Sequence, residues 1–293
     1  MPRKQVLIAG ATGLVGYAAM RHFGAASDCE VIAVSRRAPD DTHGARFLPL
    51  DLNDATACEQ LAASLLGVTH LVYAALYERP GLIAGWRERE QIETNDRMLR
   101  NLLDPLERHA KNLCHVTLLQ GTKAYGVHVR PLSVPARENR SEMHEQPNFY
   151  WKQENHLRAL QQGKDWFWSI LRPVLIVGYS TGSAMNVIPA LGVYAALRRE
   201  AGLDLPFPGG APRVAQAIDA DLLARVIAWE LDVFGSHGMA AADYPGMLAL
   251  IATGALEPQK LIERIIGLQE AAGMLPSFDT ANVAGMTMID PTR

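Results

Sequence analysis

Along the chain, short runs of apolar and β-branched residues alternate with longer stretches in which apolar side chains recur every three or four positions. The short runs predict strands over 5–9, 30–35, 46–49, 69–74, 113–119 and 167–171, and the longer ones predict helices over 13–23, 55–65, 88–110 and 151–162. A strand followed by a helix and then another strand cannot close as a hairpin, so the pattern demands a parallel sheet with helices on both faces. The expectation is an α/β, doubly wound parallel sheet, joined after about residue 175 by a smaller C-terminal substrate-side region. Ligands of such sheets sit at the carboxyl ends of the strands.

Composition narrows the classes of function. With 293 residues, 48% of them hydrophobic and 20% charged, the chain can bury a full core. A net charge of -3 with no block of like charge provides no basic face, which argues against a nucleic-acid partner. Cys29, Cys58 and Cys114 lie far apart without paired spacing, so neither a disulfide framework nor a zinc site is expected, and the thiols are expected reduced, buried and inert. His144 and the other histidines lack ligand spacing, so no metal is expected. The opening MPRKQVLIAG runs straight into a strand without a signal-peptide pattern, and no apolar stretch is long enough for a membrane span. A cytoplasmic protein without membrane contact is the expectation.

The chemistry begins at GATGLVG, between the first strand and the first helix. Gly10 suits the tight turn, Gly13 lets the backbone approach a pyrophosphate, and Gly16 lets the helix pack on the strand; Thr12 lies inside the loop, and the free N–H groups of the helix start face the anion. At this junction the glycines predict dinucleotide binding in a Rossmann-type domain, the competing reading being a structural turn. The second strand ends in Ser35, Arg36 and Arg37, where an acid would hold the ribose of NAD. Two guanidiniums there suit a 2′-phosphate instead, so NADPH is favoured and NADH is the alternative; a solvated loop is the plainer reading. Asp51 and Leu52 are placed near the adenine, although an aspartate at a strand end also serves as a helix cap. Ala74 and Ala75 end the fourth strand with room for the cofactor or simply for packing, and Lys123 follows the fifth strand.

Taken in order, GATGLVG, SRR, LDL, ETN at 93–95, YG at 125–126 and LRP at 171–173 resemble the extended short-chain dehydrogenase/reductase family. Residues 5–231 resemble more narrowly its progesterone 5β-reductase and iridoid synthase-like branch, through THLVYAAL, ETNDRMLRNLLD, LLQGTKAYG, NFYWKQEN, WSILRP, MNVIPALGVYAALRREAG and DADLLARVIAWE. That branch lacks the usual YxxxK pair, and the position four after Tyr150 is here Glu154. The resemblance implies Tyr150 and Lys123 as catalytic residues arriving from separate loops, with Glu154 on the helix surface. It also implies that the ammonium lowers the phenol pKa from about 10 toward neutral. Tyr150 as an aromatic anchor at a helix start is the alternative. Where ordinary members place serine the chain has Gly121, followed by Thr122, which implies reduction of a carbon–carbon double bond conjugated to a carbonyl, with the enolate oxygen held by Tyr150. By the same resemblance Leu14, Gln120, Pro173 and Val174 complete the cofactor site, and Leu76, Tyr77, Met185 and Tyr194, with Val187 and Ile188, face the substrate, the plainer reading of an apolar stripe at helical spacing being core. Asn95 is expected to bond nearby backbone or to be an ordinary polar residue of its helix. The competing activities are an ordinary carbonyl reductase, a sugar-nucleotide epimerase or dehydratase, and an NADP-binding regulatory protein without turnover.

The chain divides on this reading into an NADP-binding domain over 1–175, a substrate-side region over 176–231 that returns to it, and a tail over 232–293. The tail resembles the carboxyl-terminal end of the medium-chain, zinc-type alcohol dehydrogenases, through GSHG, YPGMLALIATGAL, KLIERIIGLQEAAGML and the terminal GMTMID strand. It brings no metal ligands or cofactor loop and displaces the segment that closes over substrate in the reductase branch. Met247, Leu248, Leu250 and Ile251 form one apolar face. That face is expected to cover a sheet edge, to join two copies as a homodimer, or to hang as an extension.

Overall fold

The structure, a computed structural model, describes residues 3–79, 85–130, 136–138, 144–181, 186–206, 216–229, 248–249, 251–255, 257–274, 286–290 and 292. The chain divides into two compact units, Met1–Phe234 and Gly235–Arg293. In the first, the elements follow as β1 (Lys4–Ala9), α1 (Leu14–Gly24), β2 (Cys29–Ser35), β3 (Arg46–Pro49), α2 (Ala55–Ser64), β4 (His70–Tyr73), α3 (Arg89–His109), β5 (His115–Leu119), α4 (Phe149–Gln161) and β6 (Phe167–Leu171). Every one of the six expected strands and four expected helices is present, with bounds shifted by at most two residues. The six strands form one parallel sheet in the order β3-β2-β1-β4-β5-β6. The order reverses at β1, so the carboxyl ends of β1 and β4 flank the crevice where ligands of such sheets bind.

Strand alternation explains why both faces are dry. In β1, Leu7 and Ala9 enter one core with Leu99, Leu102, Leu103 and Leu106 of α3. Val6 and Ile8 point the other way, against Val15, Ala18 and Ala19 of α1. Each fully buried Leu or Ile contributes about 2 kcal/mol. Cys29 and Cys58 are buried, whereas Cys114 is exposed, so the expectation of three buried thiols fails for Cys114, which lies in the turn before β5.

After β6 the first unit continues with β7 (Leu175–Val177), α5 (Val187–Glu200), β8 (Ala217–Asp219) and α6 (Ala220–Trp229), with β7 and β8 paired parallel. Helix α6 buries Ala220, Leu223, Ala224 and Ile227 in the α1 core. Helix α5 buries none of its described residues, and Ile188, Leu191, Val193 and Leu197 stand exposed. The second unit contains β9 (Ile262–Ile266), α7 (Leu268–Met274) and β10 (Met286–Ile289), with β9 and β10 paired parallel. Of the apolar face expected in the tail, Met247 and Leu250 lie outside the described residues, and Leu248 is exposed. Among the described residues no helix is long and apolar enough to cross a membrane.

Candidate functional site

The turn from β1 into α1 is shaped by what its glycines exclude. Gly10 has φ 86°, and a Cβ there would lie 2.8 Å from the backbone of Ala74 and Ala75. A Cβ on Gly16 would lie 2.2 Å from the Gly10 carbonyl oxygen. Gly13 is the N-cap of α1 and supplies no side-chain acceptor, so the N–H groups of the first turn, from Leu14 on, are left for an outside anion. Leu14 itself turns its side chain into the core.

Beside this turn, Thr12, Tyr17, Arg37, Ala38, Pro39, Asp40 and Thr181 line an open cavity of about 100 Å³ at the end of β2. Arg36 and Arg37 are both exposed, and the Ser35 hydroxyl donates to the Arg37 carbonyl at 2.6 Å. The cavity does contain an acid: the Asp40 carboxylate accepts from the hydroxyls of Thr181 and, at 3.3 Å, Tyr179. Its charge is thereby partly engaged by a loop far along the chain, which no local pattern announces. Asp51 does not cap α2. Its carboxylate accepts from the backbone and side chain of Asn53, and Asp54 is the cap, accepting from Ala57 N–H at 2.9 Å. Leu52 buries its side chain in the core, leaving its backbone for contact, and there Asn101 donates to its carbonyl at 2.8 Å. Ala74 and Ala75 lie over Gly10 and are partly buried. The uncapped helix start and an arginine in the adjoining cavity fit a dinucleotide carrying an extra ribose phosphate.

The second half of the site gathers at the ends of β5, β6 and the start of α4. Lys123 lies in a single 3-10 turn, Thr122–Tyr125, that closes at Gly126 with φ 80°. Its ammonium sits 3.9 Å from the centroid of the Trp86 ring. Tyr150 meets the same indole edge to face, with ring centroids 5.2 Å apart. Asn148 ties the two together: its side-chain oxygen caps α4 by accepting from Tyr150 N–H at 3.0 Å, and its amide donates to the Lys123 carbonyl at 3.1 Å. A Cβ on Gly121 would lie 3.4 Å from the Tyr150 hydroxyl and 3.7 Å from the Pro173 carbonyl, so the position that usually carries serine adjoins the phenol. Val174 beyond it is exposed.

Two expectations are corrected here. Burial holds the Tyr150 pKa above the ordinary phenol value, Glu78 raises it further, and the cation that opposes them is Arg172 rather than Lys123. Burial pushes the Lys123 ammonium below its ordinary value, against the pull of Glu78. Nor is Glu154 a surface residue. It is only 6% exposed and accepts from Arg172 at 2.7 Å and Arg158 at 2.9 Å. A buried carboxylate without such partners would be too costly to keep charged, so the guanidiniums are what make the position tenable. Gln120 completes the set, accepting from Arg172 Nε at 2.9 Å and donating to the Tyr150 carbonyl at 3.2 Å.

Glu78, Trp86, Asn148 and His128 escaped the sequence reading. The Trp86 indole N–H donates to Glu78 at 3.0 Å, and burial followed by Lys123 and Arg87 lowers the His128 pKa. Only Asn148 had a local signal, an asparagine directly before an apolar helical run. Asn95 does bond backbone, and the backbone is that of Tyr77: it accepts from Tyr77 N–H at 2.8 Å and donates to Tyr77 carbonyl at 2.7 Å, fixing the loop that carries Glu78. Leu76 is exposed and Tyr77 packs against the core. Tyr194 on α5 donates to the Pro206 carbonyl at 3.0 Å, and Met185 lies outside the described residues. Among the described residues no three His, Cys, Asp or Glu side chains are placed to hold a metal ion.

Comparison with known proteins agrees with this architecture. Residues 55–230 match the PRISE-like Rossmann-fold domain. An (S)-8-oxocitronellyl enol synthase of Camptotheca acuminata is 33% identical over 242 residues, covering 76% of this chain and 60% of the relative. The 3-oxo-Delta(4,5)-steroid 5-beta-reductase of Arabidopsis thaliana is 34% identical over 241 residues, with the same coverage of each. The chain therefore spans about three fifths of the length of these curated relatives. Among solved structures, the UDP-glucose 4-epimerase of Thermus thermophilus superposes with TM-score 0.60 at 20% identity, covering 78% of this chain and 75% of that one. At this identity the likeness speaks for the fold alone.

Proposed function

The chain belongs to the PRISE-like Rossmann-fold family, and from that premise we propose that it is an NADPH-dependent reductase of α,β-unsaturated carbonyl compounds. The observation that carries the reading is the convergence of Tyr150 and Lys123, from two distant segments, on one indole and one asparagine. The names of the relatives, a steroid 5-beta-reductase and enol synthases, are consistent with it. NADPH supplies the hydride when bound, in the cradle of Gly10, Gly13 and Gly16 with Arg37 on its ribose phosphate and NADH as the weaker alternative.

This chain's own residues then handle the oxygen. As hydride adds to the β-carbon, the electron pair of the double bond moves toward the carbonyl oxygen, where an enolate forms. Tyr150, whose raised pKa keeps it a neutral O–H donor, donates a hydrogen bond to that oxygen in the manner of an oxyanion hole. A proton from solvent water then adds to the α-carbon, leaving hydroxide to the buffer, and the electron pair returns to the carbonyl to complete the saturated product. With Gly121 in the place of serine, no second hydroxyl adjoins Tyr150 there, which favours the enone over simple ketone reduction or epimerisation. Of the residues expected to face the substrate, Leu76, Tyr77 and Tyr194 are the described ones, and we place the enone beside them. Residues 232–293 are read as a segment of alcohol-dehydrogenase character, in keeping with the strand–helix order of β9 and α7 and the late strand β10.

The test is product analysis with the purified full chain, NADPH and a panel of steroid and acyclic enones. Cofactor oxidation with a saturated ketone as product is the expected outcome, and Tyr150→Phe lowers kcat roughly 100- to 1,000-fold. An allylic alcohol or an epimer as product selects the competing enzymatic readings. Saturable cofactor binding with no oxidation by any carbonyl compound selects the regulatory one.

A further inference from the structure

The position four residues after Tyr150 carries the wrong charge for the usual tyrosine–lysine pair, yet it is buried beside the phenol. Tyr150 and Glu154 stand one turn apart on α4, and both side chains face inward. A carboxylate so placed has to import positive charge. Arg172, directly after β6, provides it: its side chain is 11% exposed, with one Nη donating to Glu154 at 2.7 Å and Nε donating to Gln120 at 2.9 Å. Gln120, directly after β5, in turn donates to the Tyr150 carbonyl at 3.2 Å, while its own N–H donates to the Leu171 carbonyl at 2.8 Å. One guanidinium thus ties the ends of β5 and β6 to the first turn of α4.

We propose that Arg172, gripped by Glu154 and Gln120, is the positioning residue of Tyr150: it sets the phenol against Gly121 and Pro173 and stands in for the lysine that other enzymes carry one helical turn after the tyrosine. Lys123 is thereby released for another duty, and its ammonium rests on the Trp86 ring. Charged and titratable groups surround Tyr150 from several segments: Glu78 from the loop after β4, Arg87 beside Trp86 before α3, Lys123 and His128 after β5, Glu154 on α4 itself and Arg172 after β6. Of these, Arg172 is the cation acting on the hydroxyl, and it opposes Glu78. Arg172 donates in two directions at once from a planar fork, which a lysine in its place would not reproduce.

The inference rests on the proposed role of Tyr150, and its test has a readout that does not need turnover. A polyfluorinated tyrosine placed at 150 in the full chain titrates at accessible pH and reports its ionisation by fluorine NMR. Arg172→Gln raises that pKa, and Glu154→Gln, which keeps an acceptor in place but removes the countercharge, lowers it. With unmodified Tyr150, Arg172→Gln lowers kcat for an enone up to roughly a hundredfold with little change in cofactor affinity, since a phenol displaced by an ångström is no longer aligned. Arg172→Lys recovers the pKa more fully than the rate. Shifts of the same sign in Arg172→Gln and Glu154→Gln, or no shift in either, overturn the proposal, because a pair that only braces the fold has no reason to act on the phenol in opposite directions. Where Arg172→Gln fails to fold, Glu154→Gln and Arg172→Lys decide: an unmoved phenol pKa in the former overturns it. If the unmodified chain reduces no enone while the opposed shifts appear, the enzymatic reading falls and the positioning role stands.

Discussion

Residues 10–16 and residues 148–154 both occupy the carboxyl edge of the sheet, and each leads into a helix, but the two helix starts are used in opposite ways. Helix α1 opens at Gly13 with no side-chain acceptor, so its first N–H groups stay available to an anion. Helix α4 opens at Asn148, which satisfies Tyr150 N–H itself and spends its amide on the Lys123 carbonyl. The first is an open receptor and the second a closed anchor. The difference shows how one element of secondary structure leaves its N–H groups open to an anion when its end is bare and makes a rigid mount for a phenol when its end is sealed.

Four substitutions at three positions probe that contrast. The largest effect belongs to Gly16→Ala, whose Cβ would meet the Gly10 carbonyl at 2.2 Å, backbone against backbone. Thermal or denaturant unfolding should register a loss of about 3 kcal/mol together with loss of cofactor binding. A stable variant would show that the open end is not as tightly built as described. Next is Arg37→Ala at the β2 cavity, which removes a charge-assisted contact of about 1.5–3 kcal/mol and weakens NADPH binding tenfold or more in a calorimetric titration, with NADH affinity unchanged. Equal losses for both cofactors would remove the reason for preferring NADPH. The smallest in stability is Asn148→Ala, about 1 kcal/mol for the lost cap. Asn148→Asp sharpens the comparison, because it keeps the acceptor for Tyr150 N–H and removes the donor to Lys123. It should melt like the unmodified chain yet reduce enones more slowly, and an unaltered rate would mean that the tie to Lys123 is not needed.

The open end was legible because its constraints are local. Three glycines within seven residues, at a strand-to-helix junction, state a steric requirement that adjacent backbone imposes, and Gly10 and Gly16 meet it within one turn. The closed end was legible only in its outline. Tyr150 and Lys123 were drawn together by resemblance, but the charge logic assigned to them was wrong, since Arg172 and Glu78 act on the phenol and the ammonium turns to Trp86. Glu154 was misplaced on the surface for the same reason: nothing in NFYWKQEN tells that an arginine 18 residues later reaches back to it. Asp40 was overlooked likewise, its hydroxyl partners Tyr179 and Thr181 lying 139 and 141 residues away.

Periodicity and turn chemistry in the amino-acid sequence were enough to determine the strands, the helices, the parallel sheet they must form and the helix start whose first N–H groups are left bare, because each is decided by neighbours within a few residues. Which side chains are buried with opposite charge beside the phenol was decided by the tertiary structure alone. The field at Tyr150 is summed over Glu78, Arg172 and the desolvation of a packed aromatic cluster, and these contributions exist only once segments separated by tens of residues have closed on one another and excluded water.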